Sequence, residues 1–221
     1  MTHNPTDRYH ECHNFGGLQL QFKRQDKLKT APNIEDVPPG QFVTEKFPVL
    51  TYGPTPNISI EDWRLRIFGE IENTLELNWT QFINLKQDTI EVPFHCVTQW
   101  SRLENTWEGV LITTLAQLIK PKSSAKHVIA HCYGDYSTNI PIEIALDGTS
   151  MLAYKHDGEK LPPEHGGPLR TVVPARYGWK SAKWVTGIEF SAIDKPGFWE
   201  VRGYHNNGDF NKEERFWPEL S

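Results

Sequence analysis

One short stretch of the chain combines residue types that suit a transition metal. Residues 94–101, Phe-His-Cys-Val-Thr-Gln-Trp-Ser, place Cys96 where a β-branched run at 89–93 gives way to polar and bulky residues. The run predicts a strand, and a thiol at the end of a strand can be held rigidly and directed into a cleft. A thiolate is a soft, strongly donating metal ligand. The alternative is a small core residue, because free cysteine is among the most buried residue types.

Two later segments carry residue types that bind phosphate. Residues 161–170, Leu-Pro-Pro-Glu-His-Gly-Gly-Pro-Leu-Arg, contain His165 and Arg170, and residues 177–184, Tyr-Gly-Trp-Lys-Ser-Ala-Lys-Trp, contain Lys183. Guanidinium and ammonium groups bind phosphate through charge-assisted hydrogen bonds. The two adjacent glycines would allow the backbone to approach a ligand closely. The sequence therefore combines one candidate metal ligand with candidate phosphate-binding residues.

In this order, the three segments resemble the molybdopterin domain of the sulfite oxidase family. The closest likeness is to its short, free-standing sulfite oxidase-like oxidoreductases, and it extends from about residue 47 to about residue 204. The resemblance implies a strand-rich, mixed-sheet fold with short helices, and molybdenum-molybdopterin as the cofactor. The succession of strand patterns with few short helices independently predicts an α+β fold.

The resemblance also implies site residues. Cys96 would bind the molybdenum and be catalytic, and Tyr154 and Arg102 would face the substrate. The alternative for Tyr154 is a hairpin aromatic that packs on a neighbour. Thr51 and Tyr52 would contact the pterin through main-chain groups. The positions that the resemblance assigns to the cofactor are Thr51, Tyr52, Cys96, Cys132, His165, Arg170, Ser181, Ala182 and Lys183.

Two positions depart from sulfite oxidases. Those enzymes carry one arginine soon after the cysteine and another where Lys180 stands, whereas here Arg102 lies one position later than expected. Lysine loses the bidentate fork of arginine, which weakens the case for sulfite as substrate. Three functions stay open. They are oxygen-atom transfer to or from a small sulfur or nitrogen compound, reduction of an S-oxide or N-oxide of the methionine sulfoxide type, and non-catalytic binding or carriage of the cofactor.

Composition narrows the setting. The chain has 221 residues, a net charge of −5 and three cysteines, which predicts one domain at 41–221 after an arm at 1–40. The acidity argues against nucleic acid as a partner, and no apolar run is long enough to span a membrane. An odd cysteine count favours a cytoplasmic setting. We expect the protein to exchange electrons with a separate protein, because neither a dinucleotide fingerprint nor an iron–sulfur cysteine set is present. We also expect a monomer.

Local patterns predict several elements. Asn78 followed by Gln81 is typical of a capped helix start, Pro121 ends a second helix, and Asp157 followed by glycine predicts a hairpin turn. Strands are predicted at 47–50, 63–67, 126–133, 170–173, 184–190 and 199–204. His10, Cys12 and His13 lie close together in the predicted arm, where a metal site is conceivable but a solvated arm is the preferred interpretation.

Overall fold

The computed structural model describes residues 37–217. Most of the predicted arm at 1–40, with His10, Cys12 and His13, lies outside the described residues. The described part contains thirteen strands and three α-helices. The strands are β1 Phe42–Val43, β2 Arg64–Gly69, β3 Leu75–Asn78, β4 Asp88–Glu91, β5 Phe94–His95, β6 Trp100–Arg102, β7 Thr106–Leu111, β8 His127–Cys132, β9 Ser137–Pro141, β10 Met151–His156, β11 Glu159–Lys160, β12 Arg170–Val172 and β13 Val185–Ser191. The helices are α1 Trp79–Ile83, α2 Ile112–Ile119 and α3 Ile142–Ala145.

The strands form three sheets. The first has the order β1-β6-β5, and the second has the order β11-β10-β7-β4 with β12 also paired to β10. The third has the order β3-β2-β13-β8-β9. The β1–β6 and β2–β13 pairs are parallel and the remaining pairs are antiparallel. Mixed sheets with short helices confirm the predicted α+β, strand-rich fold class.

Two hydrophobic cores share the second sheet. Because side chains alternate along a strand, Leu152 of β10 belongs to the larger core, whereas Met151 and Ala153 belong to the smaller one. The smaller core also contains Cys96. Its other buried members are Phe94, Trp100, Trp107, Leu161 and Val172. The candidate metal ligand therefore lies against one face of β10 and not the other.

The local start and stop signals are confirmed. The Asn78 side chain accepts a hydrogen bond from the N–H of Gln81, and the Gln81 side chain accepts one from the N–H of Asn78, each at 2.9 Å. Such a cap stabilises a helix end by ~1 kcal/mol. Helix α2 ends before Pro121, and β10 and β11 pair on either side of Asp157. No helix in the described part is long and apolar enough to cross a membrane.

Two strand predictions are wrong. Residues 47–50 join no sheet, because the Phe47 ring packs in the smaller core and the Leu50 carbonyl accepts a hydrogen bond from the side chain of Lys183. Residues 199–204 contain a 3₁₀ turn, Glu200–Arg202, instead of a strand. It ends at Gly203, whose φ of +99° is incompatible with a strand. We call residues 47–52 the crossing segment.

Candidate active site

Cys96 lies in a tight turn between β5 and β6. Its N–H donates to the carbonyl of Trp100 at 2.8 Å, and its carbonyl accepts from the N–H of Gln99 at 3.1 Å. Gln99 closes the turn in the left-handed region, at a φ of +72°. The side chain of Gln41 donates to the Cys96 carbonyl at 3.0 Å. The main chain of Cys96 is thus held on both sides, which gives the thiol a defined position.

The thiol of Cys96 is buried and protonated in the cofactor-free protein. Only 7% of the residue is exposed, and burial raises the pKa of the thiol. Its Sγ lies 3.1 Å from Oγ1 of Thr98. The guanidinium of Arg215, which donates to the Val97 carbonyl at 2.7 Å, opposes the rise in pKa. A bound metal cation would favour the thiolate far more strongly.

Besides Cys96, the candidate site contains a group of cationic side chains, of which Arg170 is the most buried. It is 2% exposed, and its guanidinium donates to the carbonyls of His165 at 2.9 Å, Ser181 at 2.9 Å and Thr171 at 3.3 Å. The guanidinium carbon also lies 5.3–5.9 Å from the ring centroids of Phe47, Phe94 and Trp107. Contacts with aromatic faces stabilise a cation without neutralising its charge.

Lys183 and His165 lie beside Arg170, and we call these three residues the cationic cluster. The ammonium of Lys183 donates to the carbonyls of Leu50 at 2.9 Å and Glu164 at 2.6 Å. The ring of His165 stacks on the ring of Phe47 in the crossing segment, with the ring centroids 4.9 Å apart. Burial, and secondly the charge of Arg170, lowers the pKa of Lys183 to about 7. The charge of Glu164 acts in the opposite direction.

The cationic cluster has no carboxylate partner within residues 37–217. None of the ion pairs in that range involves Arg170, Lys183 or His165. Burial lowers the pKa of Arg170 to about 10 and that of His165 to about 4. His165 is therefore neutral near pH 7, and burying the remaining cations without an ion-paired carboxylate is unfavourable. An anion is therefore the ligand that the cluster is best suited to bind.

A glycine allows the cluster to be compact. Gly166 has a φ of +104°, and a Cβ placed there would lie 3.0 Å from the Lys183 side chain and 3.1 Å from that of Arg170. The backbone turn can therefore sit directly against both cations. Any larger residue at this position would both strain the turn and displace the two cationic side chains.

Four further positions, Ser181, Ala182, Thr51 and Tyr52, are predicted to contact the cofactor. The Ser181 hydroxyl accepts from the N–H of Val173 at 3.0 Å, and the N–H of Ala182 donates to the Thr171 hydroxyl at 2.6 Å. Ala182 is thereby held on β12, and Ser181 on the residue that follows β12. Thr51 and Tyr52 belong to the crossing segment. Thr51 is half-buried, and the exposed ring of Tyr52 packs on the rings of Phe198 and Trp199 at 4.8 and 5.9 Å.

Cys132 ends β8 as a second buried thiol. It is 8% exposed, and burial raises its pKa, opposed by the charge of Arg170. It belongs to the larger core, in contrast to Cys96. The structure therefore places Cys132 within electrostatic reach of the cationic cluster, but in a different core from the candidate metal ligand.

Tyr154 is not among the residues that surround Cys96. The β7–β10 pairing shifts between Ala153 and Lys155, so Tyr154 is the extra residue of a bulge. Its ring packs against the larger core and lies 6.1 Å from that of Trp79. Tyr154 is therefore packed on a neighbouring ring, as the alternative interpretation expected, and its catalytic role stays a prediction.

The side chain of Arg102 is directed towards Asp157. It donates to Oδ2 of Asp157 at 2.6 Å and to Nε2 of His156 at 3.0 Å. Within the described residues, neither Arg102 nor Tyr154 forms a hydrogen bond or ring contact with the cationic cluster. A substrate-facing role for Arg102 likewise stays a prediction.

The sequence patterns did not reveal His156. Its ring lies 4.1 Å from that of Trp107 and 4.8 Å from that of Phe47. Its Nε2 atom lies 3.0 Å both from a guanidinium N–H of Arg102, which can only donate, and from the side-chain oxygen of Asn105, which can only accept. Burial lowers the pKa of His156 to about 4. A histidine in a hairpin carries no sequence signal of such stacking, because both partner rings come from distant parts of the chain.

Comparison with known proteins now decides the family. A family model for the oxidoreductase molybdopterin binding domain matches residues 52–199. This chain belongs to that family. The match spans the cysteine turn, the cationic cluster and most of the three sheets. The residues present also fit the family's cofactor, since a buried thiol suits the metal and buried cations without carboxylates suit the phosphate end of the pterin.

Individual relatives agree with the family. The chain is 43% identical over 191 residues to the uncharacterized oxidoreductase YuiH of Bacillus subtilis, covering 86% of this chain and 96% of YuiH. It is 28% identical over 177 residues to the protein-methionine-sulfoxide reductase catalytic subunit MsrP of Campylobacter jejuni, covering 72% of this chain and 59% of MsrP. The family is one of oxidoreductases, which supports an enzyme over the carrier alternative.

A solved structure supports the fold. The sulfane dehydrogenase SoxCD from Paracoccus pantotrophus superposes with a TM-score of 0.61 at 20% identity, over 89% of this chain and 58% of that chain. At this identity the likeness concerns the fold alone. The predicted molybdopterin-binding fold of the sulfite oxidase type is confirmed, and the cofactor of this oxidoreductase is molybdenum-molybdopterin.

The cofactor-free oxidoreductase is expected to lose stability as the pH falls from 6.5 to 4. Burial lowers the pKa values of His95, His156 and His165 from 6.5 to about 4. In this window the unfolded chain binds protons that the folded chain does not, so the free energy of unfolding decreases as the pH falls. Urea unfolding at pH 7 and pH 5 measures the change, and His165→Gln should reduce it. Equal free energies of unfolding at the two pH values would contradict this expectation.

Proposed function

We propose that this oxidoreductase transfers an oxygen atom to or from a small sulfur or nitrogen compound. The observation that carries the proposal is the buried thiol of Cys96, which shares the smaller core with Phe94 and Trp107, the rings on which the Arg170 guanidinium packs. Within the described part of the chain, no member of the cationic cluster forms an ion pair with a carboxylate. When bound, the molybdenum cofactor supplies a two-electron centre that exchanges oxygen. The protein supplies binding, orientation and charge.

The residues divide into two groups under this proposal. Cys96 gives the protein thiolate, and its thiol proton is released when the metal binds. Arg170, Lys183 and His165 hold the phosphate end of the pterin, and Lys183 regains an ammonium pKa closer to its ordinary value beside that negative charge. The remaining contacts come from Thr51, Tyr52, Cys132, Ser181 and Ala182.

A specific observation favours reduction of a neutral S-oxide or N-oxide. Both cations that the resemblance would assign to an anionic substrate are already paired with carboxylates. Arg102 pairs with Asp157 at 2.6 Å, and Lys180 pairs with Glu200 at 2.5 Å. Lys180 is fully buried, so its ammonium cannot contact a substrate directly. The relative MsrP is by name a methionine sulfoxide reductase, which adds support for this direction.

Sulfite is therefore expected to be a poor substrate with a high KM, compared with a neutral sulfoxide. An anion gains little attraction from cations that carboxylates already neutralise. Steady-state kinetics with sulfite and an artificial oxidant, and with sulfoxides and an artificial reductant, compare kcat/KM directly. Efficient sulfite oxidation at a micromolar KM would exclude this substrate assignment.

Electrons are proposed to come from, or pass to, a separate protein. The chain has three cysteines, too few for a four-cysteine iron–sulfur cluster. The same proposal includes a small-molecule substrate, a monomer and a cytoplasmic location. Size-exclusion chromatography with light scattering measures the oligomeric state. Stopped-flow reoxidation by candidate redox proteins identifies the class of partner.

The proposed function as a whole is tested by metal and cofactor analysis. The purified protein should contain about one molybdenum per chain, and mass spectrometry of the released cofactor should show molybdopterin and whether it carries a nucleotide. Turnover of a sulfoxide or sulfite must accompany the metal. Protein without molybdenum, or molybdenum without any turnover of oxides, would refute the proposal.

A further inference from the structure

A buried ion pair involves Lys180, which lies three residues before Lys183 of the cationic cluster. The Nζ atom of Lys180 is 2.5 Å from Oε1 of Glu200, and both side chains are 0% exposed. The same ammonium donates to the carbonyl and the side-chain oxygen of Asn139, at 3.0 and 2.6 Å. All three N–H groups of the Lys180 ammonium therefore have acceptors, two on Asn139 of β9 and one on Glu200.

The carboxylate of Glu200 collects more donors than the lysine alone. Its Oε1 also accepts from the hydroxyl of Thr138 at 2.8 Å and from the indole N–H of Trp179 at 3.1 Å. Its Oε2 is buried and has no hydrogen-bond partner within the described residues. A buried charge pair is rarely the most stable way to fill a core, because desolvation offsets the attraction. Stability alone thus gives little reason for this arrangement.

The pair connects two segments that are proposed to bind the cofactor. Lys180 ends the 3₁₀ turn Gly178–Lys180, and Ser181 to Lys183 follow immediately. On the other side, Glu200 follows Trp199, whose ring packs on that of Tyr52 in the crossing segment. The carboxylate of Glu200 therefore joins two segments. One is the turn Gly178–Lys180, which precedes Ser181 to Lys183. The other is the segment at Trp199, whose ring supports the crossing segment.

We propose that Lys180 and Glu200 are positioning residues for the cofactor site, which hold Ser181, Ala182 and Lys183 in place on β9 and β12. This inference rests on the proposed function, because it assumes that these residues bind the pterin. Glu200 lies one position beyond the family match, which ends at residue 199. The pair acts through the cluster and does not itself touch the substrate.

The test compares cofactor release with the stability of the cofactor-free protein. Glu200→Gln keeps the size of the side chain and removes the charge. We expect the variant to release its cofactor about 10- to 100-fold faster than the wild type, the range typical of lost outer-shell contacts. Release is followed by the molybdenum retained after timed dialysis, so no activity is needed. Glu108→Gln is the control, because it removes the carboxylate of the half-exposed Lys155–Glu108 pair at 2.8 Å.

A purely structural role is separated by matching stability. Wild-type protein in enough urea to give the same cofactor-free Tm as the variant should still retain its cofactor about 10-fold longer. Equal release at matched Tm would overturn the inference while leaving the proposed function intact. If Glu200→Gln fails to fold, Glu200→Asp is measured in the same way, since it keeps the charge but shortens the reach. Wild-type protein without molybdenum would overturn both.

Discussion

Cys96→Ser is expected to abolish turnover while the protein remains folded. The hydroxyl is a harder and weaker donor than a thiolate, so the electronic properties of the metal centre change. The side chain is buried in the smaller core at 7% exposure, and serine is no larger than cysteine. The fold should therefore survive. Activity on a sulfoxide, circular dichroism and X-ray absorption at the molybdenum edge measure the three consequences.

The other described cysteine provides a matched control. Cys132 is equally buried, at 8% exposure, and also lies near Arg170. Cys132→Ser should leave the sulfur shell of the molybdenum unchanged, whereas Cys96→Ser should remove one sulfur from it. Wild-type turnover in Cys96→Ser, or the same spectral change in both variants, would refute the assignment of the ligand.

Arg170→Met is expected to lower cofactor affinity by about 10- to 100-fold. Charge-assisted hydrogen bonds to a phosphate contribute ~1.5–3 kcal/mol. The methionine also leaves the carbonyls of His165 and Ser181 without their donor, so the cofactor-free Tm should fall as well. The molybdenum-to-protein ratio after purification, measured with that Tm, separates the two effects.

Two further variants test whether the charge and shape of the Arg170 side chain determine the molybdenum content. Arg170→Lys keeps the charge but not the planar fork, and should give an intermediate molybdenum content. Arg64→Met removes an exposed arginine of β2 that donates to the carbonyls of Glu61 and Trp63, and should leave the content unchanged. A wild-type ratio in Arg170→Met would show that this guanidinium does not hold the cofactor.

The sequence was informative where a signal is local or belongs to a motif. The capping box of Asn78 and Gln81 depends on residues three apart, so it could be predicted and is confirmed. Cys96, Arg170 and Lys183 were named from segments that resemble a family, and the structure packs Arg170 on the rings of Phe94 and Trp107, which belong to the same core as Cys96. Their roles as ligands remain predictions, because a fold does not identify what is bound.

Pairing between distant segments could not be predicted. Asp157 and Glu200 take up the charges of Arg102 and Lys180, but no periodic pattern relates these positions along the chain. The sequence therefore suggested that Arg102 faces the substrate and that Lys180 replaces a substrate-binding arginine, whereas the structure pairs both with carboxylates. Phe47 was wrongly expected in a strand, because an apolar run does not reveal whether its backbone hydrogen bonds go to a neighbouring strand or to a side chain.

The extra residue at Tyr154 affects how length differences among relatives should be interpreted. Ala153 is opposite Gly109, and Lys155 is opposite Glu108, so β10 is one residue longer than β7 over this step. His156 consequently reaches the same face as Ala153. Deleting one residue at this bulge leaves His156 opposite Trp107 and on that face, because the excess residue of β10 is lost while its neighbours keep their partners. The bulge at position 154 is thus a place in this strand where a one-residue deletion does not invert the site.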